Sequence, residues 1–330
     1  MCRAVNRQPV KRYTAMLSAN KEVFARAHID KWQKAGYSGQ GLRIAVLDME
    51  GELYPYQQSS VTYPLGPFGK AEKHLGQCCA VLEQILPEAE LFALPTSRAG
   101  WEWVLEQKPD LVSCSYCGPK LPEDIAAKLE QSGLVVCAAA GNSGTEDGAD
   151  KLYPSAYPWT ISVGAYSPNT GHVQQYSNGG TMLDCVAFAP IAILNSEIKP
   201  IDFNGTSCAT PFVAGMLGLA AAATGGKKDL TWAREYIKQN SKDLLEPGKD
   251  QASGYGLFCL PEPPKEEKNI EIKMKIDSKT AYINGEAVQL ERAPEEKDGC
   301  TLVPVRFVAE ALGCQVSYSG NTTREITIKG

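Results

Sequence analysis

The chain has 330 residues, 43% hydrophobic and 22% charged, with a formal net charge of −5. That is the composition of a globular protein with one large and one small domain, or two medium ones. There is no basic footprint, which argues against a nucleic-acid partner. No uninterrupted apolar run is long enough to predict a membrane span.

Residues 1–27 are polar and basic, with Met16-Leu17 the only apolar hint before Val23-Phe24. They lack a secretory signal pattern. A cytoplasmic location is therefore expected, with a cell-surface or phage-associated role as the alternative. This stretch reads as an N-terminal extension. Eleven cysteines, odd in number and scattered, argue against a disulfide framework. They are expected to be reduced and mostly buried as small hydrophobes. Cys114-Ser115-Tyr116-Cys117 is a CxxC without a second pair, so no zinc site is predicted.

His28 falls in a predicted N-terminal helix. Leu42 to Leu47 is a short buried strand that ends at Asp48. Helical spacing covers 74–86 and opens on His74. Strands follow at Ala89–Leu94 and Leu111–Cys114, then a helix near 122–132 and a strand over Leu134–Ala140. The loop Gly141-Asn142-Ser143-Gly144 comes next, and then a strand over Thr160–Ala165. His172 sits beside Gly171 in a turn. Asn204-Gly205 is a turn signal before Thr206-Ser207-Cys208. Helices are predicted at 210–223 and 230–240. Strands alternating with helices predict an α/β fold: a parallel sheet with helices on both faces. Its active site would lie outside the carboxyl ends of the strands.

Residues 261–268, rich in proline and alternating charge, predict a stiff, solvated linker. Beyond it, Ile270, Ile272, Met274 and Ile276 alternate as in a half-buried strand. Asn284-Gly285 marks a hairpin, and Val303 to Gly313 a short helix with a glycine stop. Two alternating strands close the chain. Residues 269–330 thus read as a small α+β domain.

Ser207 is predicted at a helix N-terminus, where free N–H groups and the helix dipole favour an anion. A capping serine would sit there too. To act as a nucleophile it needs a base oriented by a third group. The chain offers His28, His74 and His172 as bases, and Asp48 as a carboxylate at a strand end.

The octet Asn204-Gly205-Thr206-Ser207-Cys208-Ala209-Thr210-Pro211 resembles the nucleophile motif of the subtilisin-like serine proteases (subtilases), Gly-Thr-Ser-x-Ala-x-Pro, at every fixed position. Gly36 to Asp48 resembles the run leading to their catalytic aspartate, followed here by Met49-Glu50-Gly51. His74 opens a segment similar to their histidine helix, with Leu75 and Gly76 in place of Gly and Thr. Ala138 to Gly144 resembles the segment carrying their oxyanion asparagine.

The resemblance implies a subtilisin-like protease domain over 28–260 with catalytic Asp48, His74 and Ser207. Asn142 and the Ser207 N–H would form the oxyanion hole. Ser115, Tyr116, Cys117, Gly118, Ala140, Gly141 and Leu152 would bind substrate. Ser113 to Gly118 would do so as a strand edge. Tyr153 to Pro158 resembles the loop lining the pocket for the residue before the scissile bond. Leu152, where many relatives have a small residue, implies a shallow pocket. The expected activity is a serine endopeptidase acting on polypeptides through an acyl-enzyme. The alternative is a catalytically weakened scaffold that binds peptides or tethers to an assembly. No cofactor or metal is required; structural calcium, common in such relatives, has no evident Asp-rich loop here. Residues 1–27 are a candidate short inhibitory peptide. Cys208 is either a packing residue or a redox-sensitive thiol.

The blocks Tyr282-Ile283-Asn284-Gly285 and Val303 to Gly313 resemble the domain named after the N-terminal region of copper amine oxidases. This domain contains no histidine and offers no evident copper ligands. It is expected to bind or space rather than to do redox chemistry, attaching the protease to a protein assembly, cell wall or phage particle.

Overall fold

The computed structural model describes residues 17–49, 51–69, 73–224, 228–264, 270–319 and 325–329. It divides into two units, Met1–Pro264 and Lys265–Gly330. In the first, α1 (Lys21–Arg26) and α2 (Ile29–Lys34) lead into β1 (Arg43–Asp48). Then come β2 (Val61–Thr62), α3 (His74–Ile85), β3 (Glu90–Pro95), α4 (Arg98–Gln107), β4 (Leu111–Cys114), α5 (Glu123–Ser132), β5 (Val136–Ala139), β6 (Ile161–Tyr166) and β7 (Leu183–Phe188). A separate hairpin of β8 (Ile191–Leu194) and β9 (Pro200–Phe203) precedes α6 (Thr206–Thr224). The unit closes with α7 (Leu230–Asn240), β10 (Ser241–Lys242) and β11 (Leu257–Phe258).

Nine of these strands form one sheet in the order β10-β11-β7-β6-β5-β4-β1-β3-β2, parallel except at the β10–β11 edge. Both faces of β1 are buried, which explains its unbroken apolar run. Ile44 and Val46 join the core with α3 and α6, while Ala45 and Leu47 join the core with α4 and α5. Trp101 of α4 and Phe212 of α6 are fully buried on their respective sides. The chain leaves β1 to one side for β3 and β2, and returns to the other side for β4 through β7. The order therefore reverses between β1 and β4, where an open α/β sheet leaves a crevice at its carboxyl edge.

Several expectations change. The predicted helix at 210–223 begins at Thr206, so Ser207 is inside its first turn. At 19 residues α6 is long and apolar enough to cross a membrane by length and composition, but most of it is buried within this unit. His28 is not helical. It takes a left-handed conformation between α1 and α2. The extension expected over 1–27 is also shorter: Val23 and Phe24 are core residues, and the buried Asn20 side chain exchanges hydrogen bonds with both the N–H and C=O of Ala192. Residues 1–16 lie outside the described residues. At the other end, the Trp32 indole donates to the Pro261 carbonyl and Lys31 pairs with Glu262, so the start of the predicted linker is fastened to this unit.

The second unit contains β12 (Ile272–Lys273), β13 (Thr280–Ile283), β14 (Glu286–Gln289), β15 (Glu295–Lys297), β16 (Cys300–Leu302), α8 (Val305–Ala311), β17 (Gln315–Ser319) and β18 (Glu325–Lys329). They form one three-stranded and two two-stranded antiparallel sheets. Asn284 and Gly285 both have positive φ and turn the β13–β14 hairpin, as their sequence predicts. The alternation over 270–276 yields only a two-residue strand, because a turn closes from Ser278 N–H to Lys275 C=O.

Candidate active site

The ends of β1, β4 and β5 and the starts of α3 and α6 meet in one cleft of about 460 Å³. Asp48, Met49, His74, Ser115, Tyr116, Cys117, Gly141, Asn142, Ser143, Leu152 and Ser207 line it.

Asp48 is the last residue of β1 and is 4% exposed. One carboxylate oxygen accepts the Met49 N–H at 2.7 Å, and the other lies 2.6 Å from His74 Nδ1. A carboxylate only accepts, so this bond places the proton on Nδ1 and leaves Nε2 as the basic nitrogen. His74 opens α3 and packs edge-on against Phe203, with ring centroids 5.7 Å apart. Gln57 Nε2 donates to the Gly76 carbonyl at 2.9 Å, tying the first turn of α3 to the segment after β1.

The serine is held by its own motif. Pro211 has no N–H, so the Ser207 carbonyl four residues earlier loses its intrahelical donor. The Ser115 hydroxyl takes that place at 2.9 Å, with the Cys78 thiol at 3.7 Å. The Ser207 hydroxyl donates to the Ser115 carbonyl at 3.3 Å. Its backbone N–H lies in the first turn of α6, where helical acceptors are lacking.

Asn142 Oδ1 accepts from the Thr206 N–H at 2.9 Å and the Thr206 hydroxyl at 3.1 Å, capping α6. A backbone N–H can only donate, so the amide orientation is fixed and Nδ2 is the group left for the cleft. The site thus combines an oriented imidazole, a hydroxyl and two N–H donors beside it. Those are the parts that acyl transfer requires.

Of the expected substrate-binding residues, Ser115, Tyr116, Cys117, Gly141 and Leu152 line the cleft. Gly118 and Ala140 do not. Gly118 spends its N–H and C=O on Tyr153, which closes that part of the expected strand edge. The Ala140 N–H donates to Val163, and its carbonyl accepts from Asn178 Nδ2. The Cys117 thiol spans to the Ala139 carbonyl at 3.0 Å, and burial pushes its pKa up to about 12. Leu152 packs so closely that a side chain on Gly141 would meet it at 2.7 Å. Cys208 is fully buried, and burial pushes its pKa up. That outweighs the lowering expected at a helix N-terminus, so Cys208 reads as a packing residue.

Sequence reasoning missed Met49 and Ser143 in the lining and Cys78 beneath it. The spacing of Pro211 from Ser207 was a readable signal for the anchored carbonyl. Among the described residues, one trio could offer metal ligands: Asp48, His74 and Cys78, with donor atoms within 4.8 Å of one another. Two of those donors are already engaged with each other. Burial and the Asp48 charge together push the Cys78 thiol up, which keeps it protonated.

Comparison with known proteins adds an independent line. The model of the subtilase family matches residues 91–256, and that of the copper amine oxidase N-terminal domain matches 265–328. Subtilisin E of Bacillus subtilis (strain 168) is 28% identical over 241 residues, covering 62% of this chain and 60% of its own. An intracellular serine protease of Paenibacillus polymyxa is 33% identical over 197 residues, covering 53% and 60%. The chain thus spans less than two thirds of the length of these curated relatives. The crystal structure of a lanthipeptide protease shares the fold, with a TM-score of 0.61 at 18% identity, over 73% of this chain and 93% of that one.

Proposed function

Since the chain belongs to the subtilase family, we propose that it is a serine endopeptidase working through an acyl-enzyme. Ser207 Oγ attacks a peptide carbonyl while His74 Nε2 takes its proton. Asp48 holds the imidazole in the required tautomer and stabilises the imidazolium. Asn142 Nδ2 and the Ser207 N–H receive the oxyanion. His74 then protonates the leaving amine, and water, deprotonated by the same imidazole, releases the acyl group and restores the serine. For the attack the Ser207 hydroxyl gives up its bond to the Ser115 carbonyl and donates to His74 instead. Such contacts commonly tighten only once substrate is bound.

The observation that carries this reading is the 2.6 Å Asp48–His74 pair in one cleft with Ser207 and Asn142. The same cleft suggests the substrate. The Cys117 thiol and Leu152 narrow the recess beside Ser207, favouring polypeptides with a small or medium apolar side chain before the scissile bond. For the second unit we propose an attachment role.

Labelling by a fluorophosphonate probe tests the reading. The wild-type protein should react at Ser207 and cleave peptides, and Ser207→Ala should do neither. A folded wild-type protein inert in both assays would instead be a peptide-binding scaffold.

A further inference from the structure

Two donors can share one oxyanion only if the loop bearing Asn142 and the turn leading to Ser207 keep a fixed separation. One short segment between β6 and β7 grips both. On the Asn142 side, the Gly144 N–H donates to the Tyr176 carbonyl at 2.7 Å, the Asn178 N–H to Gly141 at 3.0 Å and the Gly179 N–H to Thr145 at 2.8 Å. The Asn178 side chain, 1% exposed, continues this grip. Its Oδ1 accepts from the Ser143 and Thr145 N–H groups at 3.0 and 3.2 Å and from the Thr145 hydroxyl at 3.2 Å. Its Nδ2 donates to the Ala140 carbonyl at 3.0 Å. Residues on both sides of Asn142 are therefore tied to one amide. Space is kept for that amide: a Cβ on Gly141 or Gly148 would come within 2.4 or 2.3 Å of it.

On the other side, the Tyr176 hydroxyl donates to Asn204 Oδ1 at 2.6 Å and accepts the Gly205 N–H at 3.2 Å. It thus fixes the turn that delivers Ser207 into α6. Two residues apart in sequence, Tyr176 and Asn178 reach opposite sides of the site.

We propose that Tyr176 and Asn178 are positioning residues that set the separation of the two oxyanion donors, Asn142 Nδ2 and the Ser207 N–H. This rests on the peptidase reading. Neither residue is assigned contact with substrate. A loop anchor with no such role would lower thermal stability and leave the chemical step alone. A positioning role lowers kcat, because misplacing a catalytic group by a fraction of an ångström weakens only interactions made in the transition state.

The test compares Tyr176→Phe, Asn178→Ser and Asn142→Ala, singly and combined, on a peptide substrate and on a peptide aldehyde that forms a tetrahedral adduct. Tyr176→Phe and Asn178→Ser should each lower kcat about ten- to hundredfold. KM should stay within about twofold, as expected when only transition-state contacts are lost. Aldehyde affinity should fall in step with kcat. Adding Asn178→Ser to Asn142→Ala should cost little more than Asn142→Ala alone, since the placement of an absent donor no longer matters. Variants that keep wild-type kcat, or an Asn178→Ser loss that adds in full to that of Asn142→Ala, overturn the proposal. If Asn178→Ser does not fold, Tyr176→Phe, which removes one hydroxyl, decides it on kcat and aldehyde affinity. A wild-type protein that fails to cleave the peptide overturns the peptidase reading itself.

Discussion

The two sides of the cleft reach their geometry differently. On the Ser207 side the sequence pattern and the structure agree residue by residue. Gly205 turns, Thr206 bonds Asn142, Ser207 opens toward the cleft, and Pro211 frees the carbonyl that Ser115 then holds. On the Asp48–His74 side the sequence departs from the subtilase pattern at Met49, Leu75 and Gly76, yet the hydrogen bond between the two side chains is formed at 2.6 Å. The departures do other work. Leu75 is fully buried in the core. A Cβ on Gly76 would sit 3.0 Å from both the Glu52 carbonyl and Gln57 Oε1, so glycine lets the segment after β1 close onto α3. Met49 is 56% exposed at the rim, where packing demands little of it. The end of β1 and the start of α3 place the pair, while Leu75 and Gly76 answer to packing rather than to the pair itself.

If the two sides act as one unit, removing either should be equally damaging. Ser207→Ala and His74→Ala are each expected to lower kcat by about 10⁶-fold, and Asp48→Ala by about 10⁴-fold, the scale seen in subtilisin. Stopped progress curves with active-site titration measure this. A mild His74→Ala effect would break the comparison, because the base would then lie elsewhere.

Asn142→Ala sharpens the other side. It should lower kcat about 10²- to 10³-fold with little change in KM, again on the scale seen in subtilisin. It should also cost about 1 kcal/mol of stability, since the Thr206 N–H loses its cap. A thermal melt beside the kinetics separates the two effects. A stability loss without a kcat loss would reduce Asn142 to a helix cap.

The large features were legible because they rest on periodic burial. The apolar runs of β1, β4, β5 and β6, and the helix opening on His74, follow from a sheet covered on both faces. The features that were not legible depend on contacts distant in sequence. Residues 17–27 look like a polar extension until Phe24 and Asn20 meet the core formed much later in the chain. Gly118 looked free to pair with a peptide because its partner, Tyr153, is 35 residues away. Asn178 carries no local signal at all, since its four side-chain bonds all reach back over 30 residues.

The recess beside Ser207 can be reshaped without touching either side of the chemistry. Leu152→Gly and Cys117→Gly should raise kcat/KM for substrates with a large apolar residue before the scissile bond, relative to alanine. The shift should be about ten- to two-hundredfold, the range a hydrophobic pocket commands for small changes in volume. Peptide-library profiling of the variants reads it. An unchanged profile would mean that the acyl side chain lies outside the recess that Cys117 and Leu152 narrow.

The smallest effect expected is chemical. Alkylation needs a thiolate, and burial holds the Cys117 pKa at about 12 and those of Cys78 and Cys208 above their ordinary range. A raised pKa favours the protonated form, so reaction at Cys117 should be slow near neutrality and rise about tenfold per pH unit toward that value. Among the described cysteines, iodoacetamide near neutral pH should therefore label the exposed Cys300 first and leave cleavage intact. Peptide mapping after timed alkylation, with activity measured on the same samples, checks this. Activity lost in parallel with labelling of Cys117 at higher pH would show that a bulky group there fills the recess. Rapid inactivation at neutral pH with Cys78 modified would show instead that the thiol under Asp48 is ionised, and that the Asp48–His74 side of the cleft carries more negative charge than its geometry implies.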